Sequence, residues 1–94
     1  MKRIRVSVEL AEFIASLHPS LKRKLKASFR ILMDDPHAGK ALKEALSGLW
    51  SFRVGRLRII YRFGKNNVLE IVAIGSRARI YEETFRLIQR DQKS

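Results

Sequence analysis

Hydrophobic and polar residues alternate at the start of the chain, where Ile4, Val6 and Val8 interleave with Arg3, Arg5 and Ser7. That period of two predicts a half-buried strand over residues 3–8. The period then lengthens. Leu10, Phe13, Ile14 and Leu17 recur at helical spacing, with Ser7 placed to cap the helix from Val8 to about Leu17. His18-Pro19-Ser20 interrupts it. A second helix is predicted from about Ser20 to Met33, with Leu21, Leu25, Phe29 and Leu32 on its buried stripe and an Asp34-Asp35-Pro36 stop. Residues 37–48 read as a loop with a short turn of helix around Lys40 to Ala45, closing at Ser47-Gly48.

Period two returns at Leu49–Val54, turns at Gly55-Arg56 and continues over Leu57–Phe63. Gly64-Lys65-Asn66-Asn67 is a strong turn signal leading to Val68–Ile74. Tyr81 to about Arg90 fits a last helix with Phe85 and Ile88 inward and few apolar anchors. The order predicts an α+β fold. A small antiparallel sheet, the N-terminal strand plus a three-stranded meander, carries a helical hairpin on one face and a short C-terminal helix. Trp50, Phe52, Leu57, Ile59 and Tyr61 need the cover of the two long helices. No repeat or linker divides residues 1–94, so one domain is expected.

Charge changes this picture more than composition does. Twenty Lys and Arg against nine Asp and Glu give a net charge of +11 on 94 residues. Self-repulsion of that size opposes compaction and points to a polyanionic partner, nucleic acid first and an acidic protein second. The absence of cysteine excludes disulfides, thiolate metal sites and a thiol nucleophile. With no apolar run of membrane length and no signal-peptide pattern, the expected location is the cytoplasm.

The strand alternation sorts the charges. Ser51 and Arg53 fall opposite Trp50 and Phe52, and Arg56, Arg58 and Arg62 fall opposite Leu57, Ile59 and Tyr61. Arg77 and Arg79 follow the last strand, with Tyr81 close behind. Glu70 is the sole carboxylate between residues 45 and 81, so these arginines lack acidic partners and repel across strands. A ligand that neutralises them explains the cluster better than solvent does. Guanidinium groups suit phosphodiesters because they donate paired hydrogen bonds and keep their charge, but they are poor proton acceptors. Tyr81 is the candidate for proton transfer, its phenol favoured toward ionisation by Arg77 and Arg79. Arg56, Arg62 and Arg79 are expected to hold RNA, together with Lys22 and Lys26 on the basic face of the second helix. His18 and His37 lie off this face. Asp34, Asp35 and His37 read as a helix stop rather than a metal site, so neither metal nor cofactor is expected.

The run Leu49-Trp-Ser-Phe-Arg-Val-Gly-Arg-Leu-Arg-Ile-Ile-Tyr61 resembles the arginine-rich hairpin of the RelE/ParE toxins. Val72-Ala-Ile-Gly-Ser-Arg-Ala-Arg-Ile-Tyr81 is similar to their closing segment. The resemblance covers nearly the whole chain and implies a toxin held inactive by a cognate antitoxin. RelE toxins enter the ribosomal A site and cut mRNA without metal, whereas ParE toxins inhibit DNA gyrase. By position, the resemblance assigns Arg58 and Arg77 to phosphate contact and Tyr81 to proton transfer. The family's lysine pair falls on Ser51 and Arg53, and its closing histidine is Ser76 here.

A ribosome-dependent mRNA endoribonuclease using Arg53, Arg58, Arg77 and Tyr81 is the leading expectation. A gyrase inhibitor and an inactive antitoxin-binding module remain as alternatives. In each case an antitoxin is expected to wrap the sheet and helices and to displace the last helix.

Overall fold

The computed structural model describes residues 3–76 and 79–93. Strand β1 (Arg3–Arg5) is followed by α1 (Val8–Ala15) and α2 (Pro19–Asp34). Strands β2 (Lys40–Ala41), β3 (Trp50–Val54), β4 (Leu57–Phe63) and β5 (Val68–Ser76) lead to α3 (Ile80–Lys93). A single 3-10 turn, Glu44–Leu46, lies between β2 and β3. The five strands form one mixed sheet in the order β1-β5-β4-β3-β2. The expected α+β architecture is present. No helix among the described residues is long and apolar enough to cross a membrane.

Local chemistry sets most boundaries. The Ser7 hydroxyl accepts from Leu10 N at 3.1 Å and starts α1. His18 Nδ1 accepts from Ser20 N at 3.2 Å, which caps α2 ahead of Pro19 at its first turn. The β3–β4 turn needs Gly55 at φ 59°, and the β4–β5 turn takes Asn66 and Asn67 at φ 59° and 60°. These are left-handed conformations that glycine and asparagine adopt at low cost.

One core lies between the sheet and the α1–α2 hairpin. Leu25, Leu32, Ile59, Tyr61 and Leu69 are fully buried there, joined by Val54, Ile71 and Ile74. Each such aliphatic side chain contributes roughly 1.5–3 kcal/mol by leaving water. The other face has its own cluster, with Leu49, Ile60 and Ala73 of the loop and sheet covered by Ile80 of α3. A bulge at the Ile60–Tyr61 junction leaves Val72 unmatched. Before it Leu69 and Ile71 face the helical hairpin; after it Ile74 does.

Four details depart from the sequence-based expectation. Strand β1 runs parallel to β5, with Arg3 beside Val68 and Arg5 beside Glu70, so the sheet is mixed; alternation places a strand but does not encode its direction. Residues 40 and 41 extend the sheet as a strand paired with Ser51 and Trp50, because β3 would otherwise leave its outer backbone groups unpaired. Phe13 of α1 remains 36% exposed. In α3 the inward positions are Ile80 and Thr84, and Phe85 is 38% exposed. Thr84 tolerates full burial because its hydroxyl donates to Ile80 O at 2.6 Å. Tyr81, Leu87 and Ile88 add to this contact, so α3 is better anchored than its hydrophobicity suggested.

The α2–β2 loop is tied down by a buried phenol. Tyr61 donates to Pro36 O at 2.7 Å and accepts from Gly39 N at 3.2 Å, while Trp50 and Phe63 pack against its ring and His37 meets both of them, edge-on to Trp50. Burial pushes the Tyr61 phenol above its ordinary 10.0; the Gly39 hydrogen bond opposes this and the Asp35 charge reinforces it. The folded state therefore holds this proton more tightly than the unfolded chain. Its stabilising effect is full below pH 10.0 and is lost as pH rises through the raised value. We expect Tyr61→Phe to lower stability by about 1–2 kcal/mol at neutral pH. Denaturant titrations should show the gap between the two proteins narrowing as the phenol ionises. A constant gap through the alkaline range would reject the assignment.

Candidate functional site

The β3–β4 hairpin pairs Arg53 with Arg58 and Ser51 with Ile60 on the sheet face that α3 half covers. Two like charges therefore sit directly opposite one another, an arrangement that destabilises a hairpin unless something else holds it. Ser51 supplies part of the answer. It is 2% exposed, and its hydroxyl accepts from Arg58 Nη1 at 3.1 Å and from the Tyr81 hydroxyl at 3.3 Å. The Arg58 guanidinium carbon lies 5.7 Å from the centre of the Tyr81 ring, a cation–π distance. Arg58 Nε is buried and has no hydrogen-bond partner among the described residues. Arg53 turns away, its Nε donating to Gly55 O at 3.3 Å.

Tyr81 reaches this cluster because α3 begins against β5. Gly75 is paired with Arg58, and a Cβ there would come within 2.9 Å of Ile80 Cδ1. The missing side chain lets the first turn of α3 seat on the sheet. Ile80 and Thr84 then fix the helix phase, which turns Tyr81 toward Ser51.

Three expected residues thus come together, Ser51, Arg58 and Tyr81, while Arg53 sits opposite Arg58 in the register with its side chain turned to Gly55. Arg56 is exposed at the tip of the hairpin. Arg79 precedes α3 and lines a shallow pocket with Glu82, Glu83 and Arg86. Arg77 lies outside the described residues. Arg62 stands at the opposite end of β4, paired with Glu70 at 3.3 Å. Lys22 and Lys26 are on α2, in the layer behind the sheet. Alternation placed Ser51 on this face; the feature that sequence reasoning missed is that its hydroxyl is the shared acceptor joining Arg58 to Tyr81. A signal was available in Ile60, an apolar residue between Arg58 and Arg62, which requires that something cover this face.

The family model for the ParE toxin of type II toxin–antitoxin systems, parDE, matches residues 4–81. The chain belongs to this toxin family. No curated protein matches the sequence. Among solved structures, the toxin is similar to one in the RelBE2 toxin–antitoxin complex of Mycobacterium tuberculosis. That match has a TM-score of 0.69 at 24% identity over 81% of this chain and 98% of the other. The archaeal RelE–RelB complex of Pyrococcus horikoshii gives 0.68 at 24% identity, covering 84% and 99%. The isolated E. coli RelE toxin gives 0.68 at 15% identity, covering 94% and 99%. At these identities the likeness is one of fold, and it spans almost the full length of each structure.

The geometry of the cluster is testable without knowledge of activity. Ser51→Ala leaves two donors without their shared acceptor and should cost about 1–3 kcal/mol. Combined with Tyr81→Phe, it should show a coupling of at least about 0.5 kcal/mol in a double-mutant cycle read by denaturation. Additive effects would mean that Ser51 and Tyr81 are not coupled.

Proposed function

We propose that this toxin is a ribosome-dependent, metal-independent mRNA endoribonuclease, as the resemblance of its hairpin and closing segment to RelE toxins implies. The observation that supports this most is the convergence of Arg58 and Tyr81 on the buried Ser51 hydroxyl. It joins a permanent cation to a phenol with an exchangeable proton, at the positions the resemblance assigns to those tasks. Attack of a 2′-hydroxyl on the neighbouring phosphate places extra negative charge on the phosphate oxygens. Arg58, supported by Arg53 and Arg77, stabilises that charge. As the 2′-oxygen bonds to phosphorus its proton passes to solvent water; the bond to the 5′-oxygen breaks, Tyr81 supplies a proton to the departing oxygen, and the phenolate left behind regains a proton from water. The partnerless Nε of Arg58 is costly in the free protein, which fits a guanidinium held for a ligand rather than for stability. With one proton-transfer group, the cluster depends on its RNA being delivered in position, a task the ribosomal A site performs.

Purified toxin added to a cell-free translation extract should stop synthesis and produce breaks within ribosome-bound codons, mapped by primer extension. Arg58→Ala and Tyr81→Phe should each lower cleavage by about 10²-fold or more while remaining folded. Undiminished cleavage by both variants would reject these roles.

One observation favours a second reading, inhibition of DNA gyrase. Where the resemblance puts a lysine, this chain has Ser51, and its hydroxyl already engages Arg58 and Tyr81. Intact message with arrested supercoiling by purified gyrase would establish that reading in place of the first.

For either activity we infer a cognate antitoxin partner. The solved structures with this fold include toxin–antitoxin complexes. In the toxin, Val8, Phe13 and Ile31 are 71%, 36% and 48% exposed on the helical hairpin of a chain with net charge +11. An acidic, amphipathic segment meets both features. Co-purified antitoxin should raise the unfolding temperature with increasing concentration, as binding to the native state alone requires.

A further inference from the structure

We propose that the groove between β1 and the β4–β5 turn is a second phosphate-binding site, which takes RNA backbone away from the scissile bond. The inference rests on the reading of the toxin as a protein that acts on RNA.

The sheet register builds this groove. Arg5 of β1 and Arg62 of β4 flank Glu70 of β5, one on each side in the same row. Glu70 pairs with Arg62 at 3.3 Å. Arg3, Arg5 and Lys65 form no salt bridge among the described residues. They line one open groove with the side chains of Asn66 and Asn67. Among the described residues, four cations therefore share a single carboxylate. Edge strands use charge to resist pairing with other chains, which accounts for Arg3 and Arg5. It does not account for Lys65 and two asparagines of a different element closing on the same space. The left-handed conformations of Asn66 and Asn67 shape that turn.

This groove is distinct from the Arg58 cluster. Arg58 and Arg62 are four residues apart on β4, about 13 Å along an extended strand, and α3 covers Ile60 between them. One phosphate cannot touch both ends, but a strand of several nucleotides can. Lining chemistry favours nucleic acid over a peptide. Among the described residues Val68 is the one apolar residue lining the groove. A protein segment that orders on binding needs apolar burial to offset its lost entropy, whereas a phosphodiester backbone gains most of its affinity from counterion release.

The test uses a fluorescently labelled single-stranded RNA of about twelve nucleotides, made uncleavable by 2′-O-methyl riboses. Its affinity for the full chain is followed by anisotropy over a salt series. For the Arg3→Ala/Arg5→Ala/Lys65→Ala variant, the slope of log affinity against log salt should shrink by about 2, with binding at least about tenfold weaker at low salt. Arg3→Lys/Arg5→Lys, which keeps the charge, should retain the wild-type slope; Lys65→Gln, on the exposed turn, should lower it by about 0.7 and serves if the alanine variant fails to fold. Arg58→Ala should abolish cleavage but leave most of this slope. An unchanged slope in the alanine variant, with wild-type cleavage intact, would overturn the groove while leaving the endoribonuclease reading standing. Wild-type protein that neither binds the oligonucleotide nor cleaves message would overturn both. Loss of antitoxin affinity with RNA binding unaltered would reassign the groove to the antitoxin and overturn the proposal.

Discussion

Strand β4 carries Ile59, Ile60 and Tyr61 in succession, all fully buried, and side chains on a strand point alternately to its two faces. The central strand is therefore apolar on both sides, and the sheet has to be covered twice. The α1–α2 hairpin covers Ile59 and Tyr61, and α3 covers Ile60. Everything distinctive about the charged surface follows from that second cover. Ile60 and Ala73, the apolar patch that α3 covers, lie between two groups of cations, one around Arg53 and Arg58 and the other around Arg5 and Arg62.

The same packing converts a repulsive pair into an organised site. Arg53 and Arg58 face each other across the hairpin with no carboxylate between them. Arg53 turns outward to the Gly55 carbonyl, and Arg58 is drawn inward by Ser51 and the Tyr81 ring. A lysine at position 51 would have to place a third charge in a site that is almost completely buried, at a large desolvation cost. Serine here exchanges local positive charge for a hydroxyl that fixes two neighbours. The toxin thus keeps the arginine and tyrosine of the RelE-like pattern in contact while departing from it beside them.

Much of the fold and part of the site were legible in the sequence. Helix starts at Ser7 and Pro19, the stop at Asp34-Asp35-Pro36 and the turns at Gly55-Arg56 and Gly64–Asn67 each depend on a few adjacent residues. Local rules therefore locate them. Arg53 and Arg58 were marked out by alternation and by the resemblance to a known hairpin, and Tyr81 by the resemblance of the closing segment. The sequence could not show that Tyr81 meets Ser51, because that contact joins residues 30 positions apart and depends on where α3 lies.

What the sequence by itself determined is the order of the helices and main strands, the excess of positive charge and the faces of the residues in β3 and β4. Tertiary structure alone decided the parallel placement of β1, the pairing of Lys40 and Ala41, and the phase of α3. The bulge at Ile60–Tyr61 is the clearest case. The run Ile71-Val72-Ala73-Ile74 is apolar throughout, so no alternation marks where the strand changes face, and only packing against two covering layers selects the residue left over. In α3, likewise, hydrophobicity favours Phe85 for the interior. Thr84 occupies it because its hydroxyl is satisfied by its own helix and because Ile80 is held against Gly75 by the sheet.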